Sequence, residues 1–120
     1  MNRFSQAFLN ATLGGCSLLA LAGCADFMAA RQARGEGWRN AVVAQISPGS
    51  EITRFSFRDC RKELDPQKAA SDKFVVYRYH GAGSAAYHIG LLPSKPLSIN
   101  DAVSVNIDHC ELEPKPRSPD

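Results

Sequence analysis

Hydrophobic positions follow different periods along this chain, and each period predicts a different element. Residues 7–22 form one apolar run, interrupted at Asn10, Thr12, Gly14 and Gly15. Residues 25–40 begin Ala-rich and helix-favouring, then reach Gly35 and Gly37, which punctuate a helix. From residue 41 the spacing drops to two, the repeat of a strand that buries one face. Residues 41–46 make a short apolar run, and Ser47-Pro48-Gly49-Ser50 composes a turn. In residues 52–58, Thr53, Phe55 and Phe57 alternate with Arg54, Ser56 and Arg58. That alternation predicts a second strand with the Phe pair in a core and the Arg pair in water, joined to the first as a hairpin.

Residues 61–73 are the least strand-like part; Asp65-Pro66 starts a turn, and one helical turn at most is expected. Residues 74–80 and 85–92 flank a glycine-containing turn, and a two-residue loop at Ala82-Gly83 fixes their register. Phe74 then faces Leu91, Val76 faces Ile89, Arg78 faces Tyr87 and His80 faces Ala85. Val75 with Gly90, Tyr77 with His88 and Tyr79 with Ala86 occupy the other face. Both faces are apolar, as in a central hairpin covered on both sides. After Pro93 and Pro96, residues 102–110 alternate most clearly, with Val103, Val105 and Ile107 against Ser104, Asn106 and Asp108. Pro114, Pro116 and Pro119 amid charges predict a disordered tail over 113–120. About five short strands and no long helix predict a mainly β fold. The expected form is a small antiparallel sheet or a partly closed SH3-like or OB-like barrel, spanning residues 41–112. Trp38, the only Trp, is expected to cap one end of its core.

The apolar run ends in Leu21-Ala22-Gly23-Cys24, with Arg3 ahead of it. This arrangement resembles a bacterial lipobox. The resemblance implies diacylglycerol on the Cys24 sulfur, cleavage before Cys24, and acylation of the new amine by a fatty acid such as palmitate. Residues 1–23 would then be a signal peptide and 24–40 a lipidated tether. A retained span is the poorer reading, because crossing a bilayer takes about 20 predominantly apolar residues. Leu13-Gly14-Gly15-Cys16 leaves too short an apolar region before it to serve instead. Two or more acyl chains give stable attachment where one does not. Ala25 rather than Asp follows the Cys, which by the family's sorting rule implies the outer membrane's inner leaflet, facing the periplasm. The inner membrane is the alternative. Phe27 and Met28 could enter the interface beside the acyl chains, with Arg31 and Arg34 near lipid phosphates.

With the signal removed, 97 of the 120 residues remain, one domain's worth, and the loss of Arg3 leaves 13 basic residues against 12 acidic. That balance offers no general field for nucleic acid or an anionic surface. Cys60 and Cys110 are the remaining cysteines and, in an oxidising compartment, most simply form one disulfide. His80 and His88 fall on opposite faces of the predicted hairpin and His109 on a later strand, so no metal site and no cofactor is expected. No catalytic constellation assembles either: no Cys nucleophile is free, and no Ser sits in a Gly-x-Ser-x-Gly context. A non-enzymatic module is therefore expected. Residues 74–110, with Pro93-Ser94-Lys95-Pro96 and then Leu97-Ser98-Ile99-Asn100-Asp101-Ala102-Val103, resemble the C-terminal β domain of glycine-zipper outer-membrane lipoproteins. Asn100 stands where that family favours Gly, and no glycine zipper is present.

Together these readings predict a lipid-anchored structural or protein-interaction module of the cell envelope, with an envelope protein or the cell wall as partner. Arg54, Arg58, Tyr77, Tyr79 and His88 are its candidate surface residues. The alternative is a periplasmic domain that binds a glycan or small molecule, or inhibits a hydrolase. That alternative needs a pocket in which Tyr77, Tyr79 and His88 converge with a carboxylate.

Overall fold

The computed structural model describes residues 24–117. The predicted signal peptide, residues 1–23, lies outside the described residues. Residues 24–35 form helix α1, and the chain divides into two units after Ala33. Among the described residues no helix is long and apolar enough to cross a membrane.

From Arg34 onward the chain forms the second unit, a mainly β body built on one open antiparallel sheet. Its strands are β1 (Trp38–Pro48), β2 (Lys73–His80), β3 (Ala85–Leu91), β4 (Ala102–Asn106) and β5 (Lys115–Pro116). They lie in the order β3-β2-β1-β4-β5. Strand β1 is central, pairing with β2 along most of its length and with β4 through its first half. The register of β1 on β2 shifts between Val43 and Gln45, so Ala44 is an extra residue and the strand is bulged there.

The β2–β3 hairpin has every predicted partner, from Phe74 opposite Leu91 to His80 opposite Ala85. Gly81 N–H donates to Ser84 O at 2.8 Å, and of the loop residues Gly83 carries a positive φ of 83°. A side-chain period of two ties every pair to that turn. The two faces of the hairpin carry separate cores. On one, Val75 and Tyr77 pack with Ala41, Val43, Val103 and Val105, and Leu97 and Ile107 lie against them. On the other, Phe74, Val76 and Ile89 pack with Ile52, and Leu64, Tyr87 and Leu91 border them. Fully burying side chains of this size stabilises by about 1.5–3 kcal/mol each.

Residues 49–72 supply the cover of the second core. Two 3₁₀ turns, Gly49–Glu51 and Cys60–Glu63, are followed by helix α2 (Pro66–Ser71). Asp65 caps α2, its carboxylate accepting from Lys68 N–H at 3.0 Å, and Pro66 begins the helix where its missing N–H costs nothing. Cys60 and Cys110 are bonded, with Cα atoms 5.7 Å apart, so this cover is stapled to the segment that follows β4.

Of the two expected forms, the small antiparallel sheet is the one observed, and it is open. Three expectations need correction. Residues 52–58 are not a strand, and β1 turns away from them to pair with β2 and β4. Strand β4 stops at Asn106, because the Asn106 side-chain oxygen accepts from Asp108 N–H and His109 N–H at 3.0 and 2.9 Å and turns the chain. The tail is also partly ordered. Glu113 accepts from Ser94 N–H and Oγ–H, and Lys115–Pro116 pairs with Val103 and Ser104 as the short outer strand. Pro is tolerated there because an edge strand has no further neighbour to pair with. Lys115 Nζ sits 3.8 Å from the centroid of the half-buried Trp38 ring, so that ring joins the start and end of the body.

Candidate contact surface

Of the residues expected on a working surface, the structure keeps some outside and draws others in. Cys24 is exposed on α1, and the side chains of Arg54 and Arg58 are exposed. Tyr77 and His88 are interior, at 1% and 2% exposure, and Tyr79 is half-buried. Tyr77 and His88 stack at a centroid distance of 6.1 Å, and His88 Nε2 lies 3.8 Å from Cys60 Sγ. They belong to the packing under the disulfide, so they are corrected from surface to core. The reason is the register: Tyr77 faces His88 on the side of the hairpin that Val43 and Val103 fill.

Burial sets the chemistry of this pair. It pushes the His88 pKa down to about 4; Asp59 and Asp108 oppose the shift and Arg58 adds to it. Burial, with Glu113 nearby, raises the Tyr77 pKa, and the Tyr77 hydroxyl has no hydrogen-bond partner among the described residues. A neutral imidazole and a neutral phenol are what such an interior tolerates. A hollow of about 360 Å³ is lined by Tyr79, His88 and Asp108 among others, but Tyr77 is not in its wall. The three-residue constellation required for a ligand site does not converge.

The surface that does assemble is the loop between the two 3₁₀ turns. Neither predicted face is kept whole: within 52–58 only Ile52 and Ser56 turn inward, and Arg54 and Arg58, of the same parity, stay outside with the Phe pair. Ile52 and Ser56 are buried at 5% and 7%, whereas Phe55 and Phe57 are exposed at 73% and 86%. Ser56 holds the arrangement. Its hydroxyl donates to Arg58 O at 2.7 Å and accepts from Ile89 N–H at 3.3 Å, at the outer edge of β3. Asp59 then makes a single parallel bridge to Ile89. The loop thus covers that sheet edge with hydrogen bonds rather than with apolar area, and both Phe side chains are left outside. They touch each other edge to face, with centroids 5.1 Å apart.

Arg61 fixes the ends of the loop. Its guanidinium donates to Asp59 in bidentate fashion, with a shortest contact of 2.6 Å, and to Gly49 O and Ile52 O at 2.6 and 2.9 Å. Burial alone would raise the Asp59 carboxyl, but hydrogen bonds and charge from Arg61, with Lys62 adding charge, hold it below the usual carboxylate range. The exposed arginines are less committed. Arg54 lies 4.4 Å from the centroid of the Tyr87 ring, and among the described residues no carboxylate pairs with it. Arg58 reaches Glu63 at 3.5 Å with both side chains about half exposed, a contact of little net worth. The same loop borders a groove of about 1100 Å³ whose walls include Arg34, Arg39, Arg54 and Tyr87.

Sequence reasoning found the two arginines and missed the two phenylalanines. One signal was present: Ile52 shares parity with Arg54 and Ser56, so both faces of the segment carry apolar residues and only one can enter the core. Comparison with known protein families, curated proteins and solved structures finds no match for this chain.

Proposed function

We propose that this chain is a lipid-anchored, periplasm-facing structural or interaction module of the bacterial cell envelope. In this reading an acylated Cys24 holds the body at a membrane, most simply the outer membrane's inner leaflet. The body works by surface contact rather than by chemistry. The observation that carries the reading is the Phe55–Phe57 pair, exposed on a loop that Ser56 and Arg61 hold in place. Two large apolar side chains kept in water by a hydrogen-bonded scaffold, with arginines on either side, compose a surface suited to a neighbour. The exposed Cys24 at the start of α1 supports the anchor, because acylation needs a reachable sulfur.

The anchor and the surface are tested separately. Cys24→Ser should leave an uncleaved precursor that takes up no labelled fatty acid, and unchanged labelling would remove the tether. A photoreactive residue at position 57 should crosslink to an envelope component in intact cells. Absence of any crosslink there, with the protein present and folded, would remove the contact surface.

A further inference from the structure

We infer that the loop around Phe55 and Phe57 is a second membrane contact, in which the two rings enter the interface of an anionic phospholipid bilayer and the flanking arginines meet its phosphates. The inference rests on the anchored reading and names the neighbour that the exposed loop touches.

The first argument is shape. Phe57 borders both the groove and the smaller hollow yet is 86% exposed, so neither encloses the ring, and its only aromatic contact among the described residues is Phe55. A protein partner would need a matching cavity for such a side chain, whereas a bilayer interface accepts an aromatic ring without one. The second is charge. Arg54 and Arg58 flank the rings, and Arg34 and Arg39 border the adjoining groove; the carboxylates nearby are Glu51 in the groove wall, Glu63 beside Arg58, Asp108 in the hollow that Phe57 borders, and Asp59, which Arg61 pairs. With Arg61 included the arginines exceed the carboxylates by one, and the four outside that pair suit phosphate groups. The third is repetition. On α1, Phe27 and Met28 are exposed at 65% and 62%, and Arg31 and Arg34 follow within the next two turns. The same pairing of two bare apolar side chains with two arginines therefore occurs beside Cys24 and again in the loop.

The test uses natively processed protein carrying Phe57→Trp, with Phe55→Trp as a second reporter, in vesicles of phosphatidylethanolamine and phosphatidylglycerol. Both sites are exposed, so neither change disturbs the core, and wild-type protein supplies the Trp38 background. The expected result is a blue-shifted emission and loss of signal when the lipid chains are brominated. Arg54→Gln with Arg58→Gln should lower the docked-to-undocked ratio roughly 30-fold, and high salt should act in the same direction. Flotation of the same vesicles reports the anchor independently. Protein that floats while the indole reporter at position 57 stays in water overturns the inference and leaves the anchored reading standing. Protein that does not float removes the anchor itself. Shielding of that reporter in intact envelopes but not in vesicles assigns the loop to a protein or glycan neighbour and overturns the membrane contact.

Discussion

Residues 52–58 and residues 74–80 are both predicted as strands, the first from alternation on one apolar face and the second from two apolar faces, and the fold uses them in opposite ways. The second became β2, with both faces buried and every cross-strand partner set by a turn. The first became an irregular loop that buries its serine and exposes its aromatics. Alternation states which residues share a face, but it does not state which face is covered. Strand β2 has a two-residue turn to β3 that sets register, and it is paired on both sides, with β3 and with β1. Residues 52–58 have no such turn, and they meet the outer edge of β3 through the Ser56 side chain, with a single bridge from Asp59 beside it.

Replacing one aromatic in each region breaks the comparison most directly. Phe74→Ala should destabilise by about 3–5 kcal/mol through a cavity in the second core, whereas Phe57→Ala should stay within about 0.5 kcal/mol. Urea unfolding of both variants measures this, and equal costs would mean that Phe57 is buried in solution. The staple comes next. Cys60→Ala opens a loop closed over a sequence separation of 50 and should cost about 4 kcal/mol under oxidising conditions. Hydrogen exchange in that variant should rise first in residues 49–64 and last in the hairpin; the reverse order would place the weak region elsewhere.

The pH response is smaller and has a defined sign. The His88 pKa is about 4 in the folded chain against an ordinary 6.5, because burial disfavours the charged ring. The unfolded chain therefore binds the extra proton between those values. Its contribution is complete above the ordinary value and is lost as the pH falls through the folded one, a change of about 3 kcal/mol. His88→Gln should flatten the slope of stability between neutral pH and pH about 5, where ordinary carboxylates remain mostly ionised. An unchanged slope would show that His88 is not the titrating group. Ser56→Ala should cost about 1–2 kcal/mol by leaving Ile89 N–H without its acceptor. Faster exchange of that amide would sharpen the contrast, and an unaffected amide would deny that Ser56 pins the loop.

Much of the sheet was legible in the sequence. Gly83 and the length of its turn set the pairing from 74 to 91, and Cys60 and Cys110 bonded to each other. The helix-favouring stretch after Cys24 is helical through residue 35, where Gly35 was expected to punctuate it. The hairpin and the helix are local decisions, made by residues close in the chain. The surface was less legible. Tyr77 became interior because Val43, Val103 and Val105, distant in sequence, pack with it, and His88 because it lies between Tyr77 and the Cys60 sulfur.

The sequence by itself therefore determined periodicity, turn positions, the β class and the covalent staple, since each follows from backbone geometry or residue identity over a short span. Tertiary structure decided that β1 pairs with β2 and β4, that Lys115–Pro116 adds an edge strand, and that Phe55 and Phe57 point outward. Those outcomes depend on which segment reaches a sheet edge or face and satisfies its hydrogen bonds there, a competition among parts of the chain that no single stretch records.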